Sequence, residues 1–149
     1  MPRIHVAVEI DATPEQVWAE LQQIDRHVEW MQEAVAIRFI GEQRSDVGTE
    51  FFCDTKVGPF KLADRMEITV WKPAMSMGVR HVGAVGGDGV FTLTAIEASR
   101  THFAWDERLQ FPWWLGGGVG ASVAGRIVLG PIWKRNLRAL KTQIELRSY

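Results

Sequence analysis

The stretch Val-Ala-Val-Glu-Ile-Asp-Ala-Thr-Pro-Glu-Gln-Val-Trp, residues 6–18, decides the fold of this chain. Within residues 3–10, large hydrophobic side chains occupy every second position, a pattern typical of a half-buried β-strand. Thr13 then predicts a helix N-cap, because Pro14 suits the first helical position and Gln16 completes a capping box. The chain therefore begins as a strand that passes directly into a capped helix.

A second short helix is predicted next, and helical periodicity then disappears until near residue 131. Asp25 is the predicted cap of this helix, which turns Val28 and Met31 inward. Beyond it, six strands are expected, at 34–41, 49–57, 60–72, 75–85, 90–98 and 101–111. Short turns join them, including a predicted turn at Gly86–Gly89, and this arrangement is typical of an antiparallel meander.

A long amphipathic helix is predicted from Pro131 to Arg147. Its apolar face consists of Trp133, Leu137, Leu140 and Ile144. Its opposite face is charged and consists of Lys134, Arg135, Arg138, Lys141 and Glu145. The sequence thus predicts an α+β fold in which a meander of strands covers one terminal helix.

The length, net charge and cysteine content of the chain limit the classes of protein to which it can belong. A chain of 149 residues predicts one domain, 1–149, with a core large enough to need no disulfides. The net charge of −1 predicts no nucleic-acid partner. A single cysteine, Cys53, and a start without an apolar segment predict a cytoplasmic location. Residues 111–133 are apolar enough to suggest a membrane span, but their glycines, prolines and Arg126 favour no stable membrane insertion.

The whole chain resembles the START/Bet v 1-like (SRPBCC) superfamily, which includes polyketide cyclase/dehydrase-like proteins. The similarity is carried by residues 8–18, Trp30-Met31, Val47-Gly48-Thr49, Trp71-Lys-Pro73 and the terminal helix. The resemblance implies a helix-grip fold, with a seven-stranded antiparallel sheet wrapped around a long C-terminal helix and a ligand cavity between them. Members bind lipids, sterols, polyketides or hormones, and some catalyse cyclisation or dehydration. The superfamily shares no universal set of catalytic residues, so none is transferred to this chain.

Alternation along the strands predicts which side chains face the cavity. Met75 is placed in the same inward row as Met77. The candidate ligand-binding residues are Phe51, Cys53, Leu62, Met66, Met77, Val79, Phe103, Trp105, Glu107 and, beyond the last strand, Trp114.

Three polar residues stand in otherwise apolar rows, and they are the catalytic candidates: Glu107, Asp64 and His81. Burial would raise the pKa of such a carboxylate and make it a candidate acid or base, or a group that orients a ligand hydroxyl. The alternative for Glu107 is structural, as the partner of an arginine or part of a hydrogen-bond network at the cavity mouth. Asp64 has the same structural alternative, and His81 has that of a satisfied or exposed histidine.

Neither a metal nor a cofactor is expected. The histidines lack metal-ligand spacing, and Cys53 stands alone as a small apolar lining residue. The glycine clusters match no phosphate-binding motif. Residues 113–120, which combine glycines with two tryptophans, predict either a mobile gate over the cavity or close packing at the start of the terminal helix.

Three functions fit these patterns. The leading hypothesis is binding of a small hydrophobic ligand, namely a lipid, a fatty acid or a polyketide-like aromatic compound. The alternative is a polyketide cyclase/dehydrase-type enzyme that uses a cavity carboxylate or histidine as acid or base. The third is a protein-interaction module that uses the charged helix face. A homodimer is compatible with the sequence.

Overall fold

An antiparallel sheet and one long helix make up most of the described part of the protein. The computed structural model describes residues 3–83, 85–110 and 128–147. In chain order the elements are β1 (Arg3–Ile10), α1 (Pro14–Leu21), a 3-10 helix (Ile24–Glu29), β2 (Ala34–Ile40), β3 (Glu50–Val57), β4 (Phe60–Lys72), β5 (Ser76–Val82), β6 (Gly86–Glu97), β7 (Arg100–Gln110) and α2 (Gly130–Glu145). These strands form one antiparallel sheet in the order β1-β7-β6-β5-β4-β3-β2, which confirms the predicted seven-stranded helix-grip fold.

The capping box at the start of α1 forms as predicted. The Gln16 amide donates to the Thr13 hydroxyl over 3.2 Å, and the Gln16 side chain accepts from the Thr13 amide over 2.8 Å. Both donors would otherwise lack partners at the helix start, so the box fixes where β1 ends and α1 begins.

The apolar face of α2 also forms as predicted. Its buried hydrophobic residues are Trp133, Leu137, Leu140 and Ile144. The indole of Trp133 stacks on that of Trp105 in β7, with ring centroids 4.4 Å apart and planes 13° apart. The helix end is held by Glu145, which accepts a 2.8 Å hydrogen bond from the Asp11 amide. The helix is therefore fixed at both ends against the first and last strands of the chain.

The predicted cap at Asp25 is wrong. The 3-10 helix begins one residue earlier, at Ile24, and its N-cap is Gln23, which makes no side-chain capping bond. Ile24 is buried in the core, so packing rather than a cap sets the start of this helix. Val28 and Met31 pack against the core, as predicted.

The predicted turn at Gly86–Gly89 is also wrong, because these four residues open β6 and pair with both β5 and β7. Strand β5 ends at Val82, so the connection lies before the glycines. Gly87 has φ +124°, and a Cβ there would lie 1.9 Å from the carbonyl oxygen of Arg108. Glycine is required at position 87 because β7 approaches too closely for a side chain and because the positive φ favours a residue without a Cβ.

Met75 does not share the inward row of Met77. Ala74 has φ +62°, and the Met75 amide donates to the Lys72 carbonyl over 2.9 Å, which places Met75 in the turn before β5. Its side chain is 61% exposed. Within the three described ranges, no helix has the length and hydrophobicity needed to cross a membrane.

Candidate functional site

A cavity of about 810 Å³ lies between the sheet, the 3-10 helix and the start of α2. Most of the described residues that border it are hydrophobic. The apolar wall includes Ile24, Met31, Ala34, Ile37, Phe51, Cys53, Leu62, Met66, Ile68, Met77, Val79, Val85, Phe91, Trp105, Leu109, Leu129, Ile132 and Trp133. The polar and charged residues of the wall are His27, Glu33, Thr55, Lys61, Asp64, His81 and Glu107.

Asp64, His81 and Glu107 meet at one point of this wall, although they come from β4, β5 and β7. His81 Nδ1 lies 2.6 Å from Asp64 Oδ2, and His81 Nε2 lies 3.3 Å from Glu107 Oε2. All three side chains are at least nine-tenths buried. We call this cluster the polar triad.

Strand β6 separates β5 from β7, and its glycines make the polar triad possible. In the sheet register, Gly87 pairs with His81 and Gly89 pairs with Glu107. A Cβ on Gly89 would lie 2.6 Å from both Cγ and Oε1 of Glu107. Because these two positions of β6 carry no side chain, Glu107 reaches across the intervening strand to His81.

The two carboxylates hold His81 in its charged form. Burial by itself lowers the pKa of His81, but the hydrogen bond with Asp64, the contact with Glu107 and the two negative charges outweigh burial and raise it to about 10. At neutral pH His81 is therefore an imidazolium whose two ring nitrogens both carry protons. The charge-assisted bond to Asp64 fixes the plane of the ring.

Two carboxylate oxygens and one ring nitrogen of the polar triad have no hydrogen-bond partner among the described residues. These buried atoms are Asp64 Oδ1, Glu107 Oε2 and His81 Nε2. The 3.3 Å contact of Glu107 Oε2 with His81 is close enough for an ion pair, but its direction is not that of a hydrogen bond. The other oxygen of Glu107 accepts from the Trp105 indole over 3.3 Å. The contact between His81 and Glu107 is thus longer and less well directed than the hydrogen bond between His81 and Asp64.

Glu33 is a further cavity carboxylate that the sequence patterns did not single out. It accepts from Trp133 Nε1 over 2.8 Å and from Asn136 Nδ2 over 2.6 Å. Burial raises its pKa. One signal was available in the sequence, because Asn136 lies on the apolar face of α2, next to Leu137, and a buried amide needs a polar partner.

The predicted site residues fall into three groups. Those that border the cavity are Phe51, Cys53, Leu62, Asp64, Met66, Met77, Val79, His81, Trp105 and Glu107. Phe103 is fully buried, packs on Phe91 with ring centroids 5.4 Å apart, and lies in the core rather than in the described cavity wall. Trp114 and the gate predicted at 113–120 lie outside the described residues.

An arginine was one partner predicted for Glu107, but in the structure the charged partner of Glu107 is His81.

Burial raises the pKa of the Cys53 thiol to about 11, so this thiol is neutral at physiological pH and lines the wall as a small apolar group. Residues 3–83, 85–110 and 128–147 contain no cluster of His, Cys, Asp or Glu arranged to hold a metal ion.

Solved structures with the same architecture are numerous, and their sequences are distant. A Thermus thermophilus protein has a TM-score of 0.79 and 12% identity, over 99% of this chain and 100% of that one. The Zhui aromatase/cyclase from a Streptomyces species has a TM-score of 0.76 and 15% identity, over 99% and 96%. The di-domain aromatase/cyclase StfQ of the steffimycin biosynthetic pathway has a TM-score of 0.78 and 16% identity, over 98% and 52%. At these identities the likeness shows the fold alone.

Among curated proteins, no sequence matches this chain. A family profile does match, over residues 1–145, and its description is polyketide cyclase / dehydrase and lipid transport. The match covers nearly the whole chain and agrees with the sheet, the terminal helix and the cavity between them. The chain belongs to the polyketide cyclase / dehydrase and lipid transport family.

Proposed function

We propose that this protein binds a small, largely apolar ligand in the cavity, with the polar triad as the one polar anchor. The observation that carries the proposal is a cavity of about 810 Å³ whose wall is hydrophobic except for a few polar and charged groups, three of which are buried and converge. A largely apolar cavity with few convergent polar groups is typical of small-molecule sites. Lipids and polyketide-like aromatic compounds are the ligand classes that suit such a wall.

Reducing the free volume of the cavity is expected to weaken binding of an uncharged apolar dye. Nile red should bind the wild type with a fluorescence increase, and Leu62→Trp, which places an indole in the cavity wall, should weaken that binding by at least about ten-fold. Val35→Trp is the matched control, because Val35 is 63% exposed and outside the described cavity wall. Circular dichroism checks that both variants are folded. No dye binding by the wild type, or equal binding by wild type and Leu62→Trp, would contradict the proposal.

Acid–base catalysis is a second candidate function, and the convergence of the polar triad favours it. Glu107 borders the cavity and is the residue that would accept a proton from a bound ligand, because its Oε2 has no hydrogen-bond partner within the described part of the chain. In a cyclisation it would remove a proton from a carbon next to a carbonyl group, and the electron pair left behind would attack a second carbonyl carbon of the same ligand. The new alkoxide would take up the proton, and loss of water would complete a dehydration.

Exchange of carbon-bound protons tests this second function without a known substrate. In D₂O, the wild type is expected to accelerate exchange of the α-protons of 2-tetralone, an apolar ketone, by about 100-fold over Glu107→Gln. Proton NMR measures the exchange rate, and Nile red binding shows whether the variant keeps its cavity. Equal exchange rates for the two proteins, with dye binding retained, would rule Glu107 out as a base.

A further inference from the structure

The carboxyl group of Glu33 links the start of β2 to α2. Glu33 immediately precedes β2, and its backbone carbonyl accepts from the Lys56 amide over 2.9 Å. Its side chain accepts from Trp133 Nε1 over 2.8 Å and from Asn136 Nδ2 over 2.6 Å. Both side-chain partners lie on α2, and both are N–H donors. Glu33 and Trp133 also border the cavity, so this link is part of the wall of the ligand site.

The side chain of Asn136 can present only its nitrogen to Glu33. Its Oδ1 accepts from the Gln32 backbone amide over 2.9 Å, and this bond fixes the orientation of the side-chain amide. Position 33 therefore faces two N–H donors, one from Trp133 and one from Asn136. A carboxyl group offers an acceptor oxygen to each of them, whereas an amide would set its own NH₂ group against one of them. The contacts therefore favour a carboxyl group at position 33 over its amide.

The contacts continue from Trp133 to the polar triad. The Trp133 indole stacks on that of Trp105, with ring centroids 4.4 Å apart, and Trp105 Nε1 donates to Glu107 Oε1 over 3.3 Å. The hydrogen bond with Glu33 fixes the direction of the Trp133 N–H, which stacking alone does not do. The face of this fixed indole then limits where the Trp105 ring lies, and with it the N–H that Glu107 accepts.

We propose that Glu33 is a positioning residue of the ligand site. By holding the Trp133 indole, it sets the stacked tryptophan wall of the cavity and, through Trp105, the place of the Glu107 side chain. For its effect on ligand binding, this inference rests on the proposed function. It assigns Glu33 no proton transfer of its own.

An exchange of the two polar side chains tests the proposal with variants of nearly unchanged shape. Glu33→Gln sets an N–H group against an N–H group, and Asn136→Asp sets two carboxyl groups against each other. The double variant Glu33→Gln/Asn136→Asp restores the match, because the new amide donates to the new carboxyl group, which still accepts from Gln32. Glu50→Gln is the matched control, since Glu50 pairs with Arg65 over 3.0 Å and lies outside the described cavity wall.

Two measurements follow the effect, NMR of the indole N–H groups and Nile red titration. The variants Trp105→Phe and Trp133→Phe assign the two indole signals. In each single variant, exchange of the Trp133 N–H with D₂O should be at least about ten-fold faster, and Nile red should bind at least about five-fold more weakly. The Trp105 signal should shift, although no hydrogen bond joins Trp105 to Glu33. The Trp18 signal should not, because Trp18 packs on Trp71 instead. The double variant should return to within about two-fold of the wild type in both measurements.

The outcomes separate this inference from the proposed function. Wild-type indole signals or wild-type dye affinity in Glu33→Gln overturn the inference, and so does a double variant no closer to the wild type than the single variants. If the single variants fail to fold, the double variant decides: wild-type indole signals support the inference, and failure to fold overturns it. Absence of Nile red binding by the wild type contradicts the proposed function, whereas the indole signals still decide whether Glu33 positions the two rings.

Discussion

Replacing His81 with leucine is expected to lower the free energy of unfolding at neutral pH by about 3–5 kcal/mol. The reason is the pair of carboxylates that His81 separates, Asp64 at 2.6 Å and Glu107 at 3.3 Å. Without the imidazolium, two buried carboxyl groups face each other across the space left by the ring and have no counter-charge. Urea unfolding followed by circular dichroism measures the loss.

Two controls separate the charge effect from a simple packing defect. The triple variant Asp64→Asn/His81→Leu/Glu107→Gln removes all three charges and should regain most of the stability lost in His81→Leu. His5→Leu removes a histidine from an exposed pair with Asp106 and should change stability by less than about 0.5 kcal/mol. A triple variant no more stable than His81→Leu would show that the carboxylates are not the source of the loss.

Stability is also expected to fall as the pH rises from about 6.5 to about 10. The pKa of His81 is about 10 in the folded protein against 6.5 for an ordinary histidine, so the folded state holds a proton that the unfolded state has released. The stabilisation from His81 is complete below pH 6.5 and is lost as the pH passes through the folded pKa. One proton gives a slope of at most about 1.4 kcal/mol per pH unit.

The measurement is a series of urea unfolding curves between about pH 4 and pH 10, with NMR titration of the His81 ring as a direct reading. The triple variant is the reference, because it lacks the polar triad and should lose the alkaline slope. A wild type and a triple variant with the same slope would contradict a raised pKa of His81.

At acidic pH, the same unfolding curves should show that His27 makes the free energy of unfolding decrease as the pH falls. Burial lowers the pKa of His27 to about 4, and its Nε2 lies 2.7 Å from the Leu21 carbonyl oxygen, so the folded state favours the neutral ring. The stability that depends on this neutral ring is present above pH 6.5 and is lost as the pH falls towards 4.

The sequence patterns predicted most elements of the fold, because the signals that define them are local, and the family resemblance implied how the sheet and the terminal helix pack together. The capping box at Thr13, the alternation within each strand and the apolar stripe of α2 each involve residues close together in the chain. The prediction of a turn at Gly86–Gly89 was wrong for a physical reason. Glycine serves both tight turns and close approach between strands, and only the sheet register, in which Gly87 pairs with Leu109 and lies against the Arg108 carbonyl, decides between the two.

The candidate site was only partly predictable. Asp64, His81 and Glu107 each stood out as a polar residue in an apolar row, which the alternation reveals. Their convergence depends on β5 and β7 lying on either side of a glycine-lined β6, and on the length of the Glu107 side chain. Neither is a local property of the sequence. Glu33 was missed because its partners, Trp133 and Asn136, lie about a hundred residues away in the chain.

The stacked indoles of Trp105 and Trp133 give the protein a built-in optical reporter. Their ring centroids are 4.4 Å apart, one indole belongs to β7 and the other to α2, and both border the cavity. Electronic transitions of two chromophores this close couple, so the circular dichroism of the pair reports the position of the helix against the sheet. A guest molecule that enters the cavity changes the surroundings of both rings at once. Docking of the helix and occupation of the cavity can thus be followed without any added label.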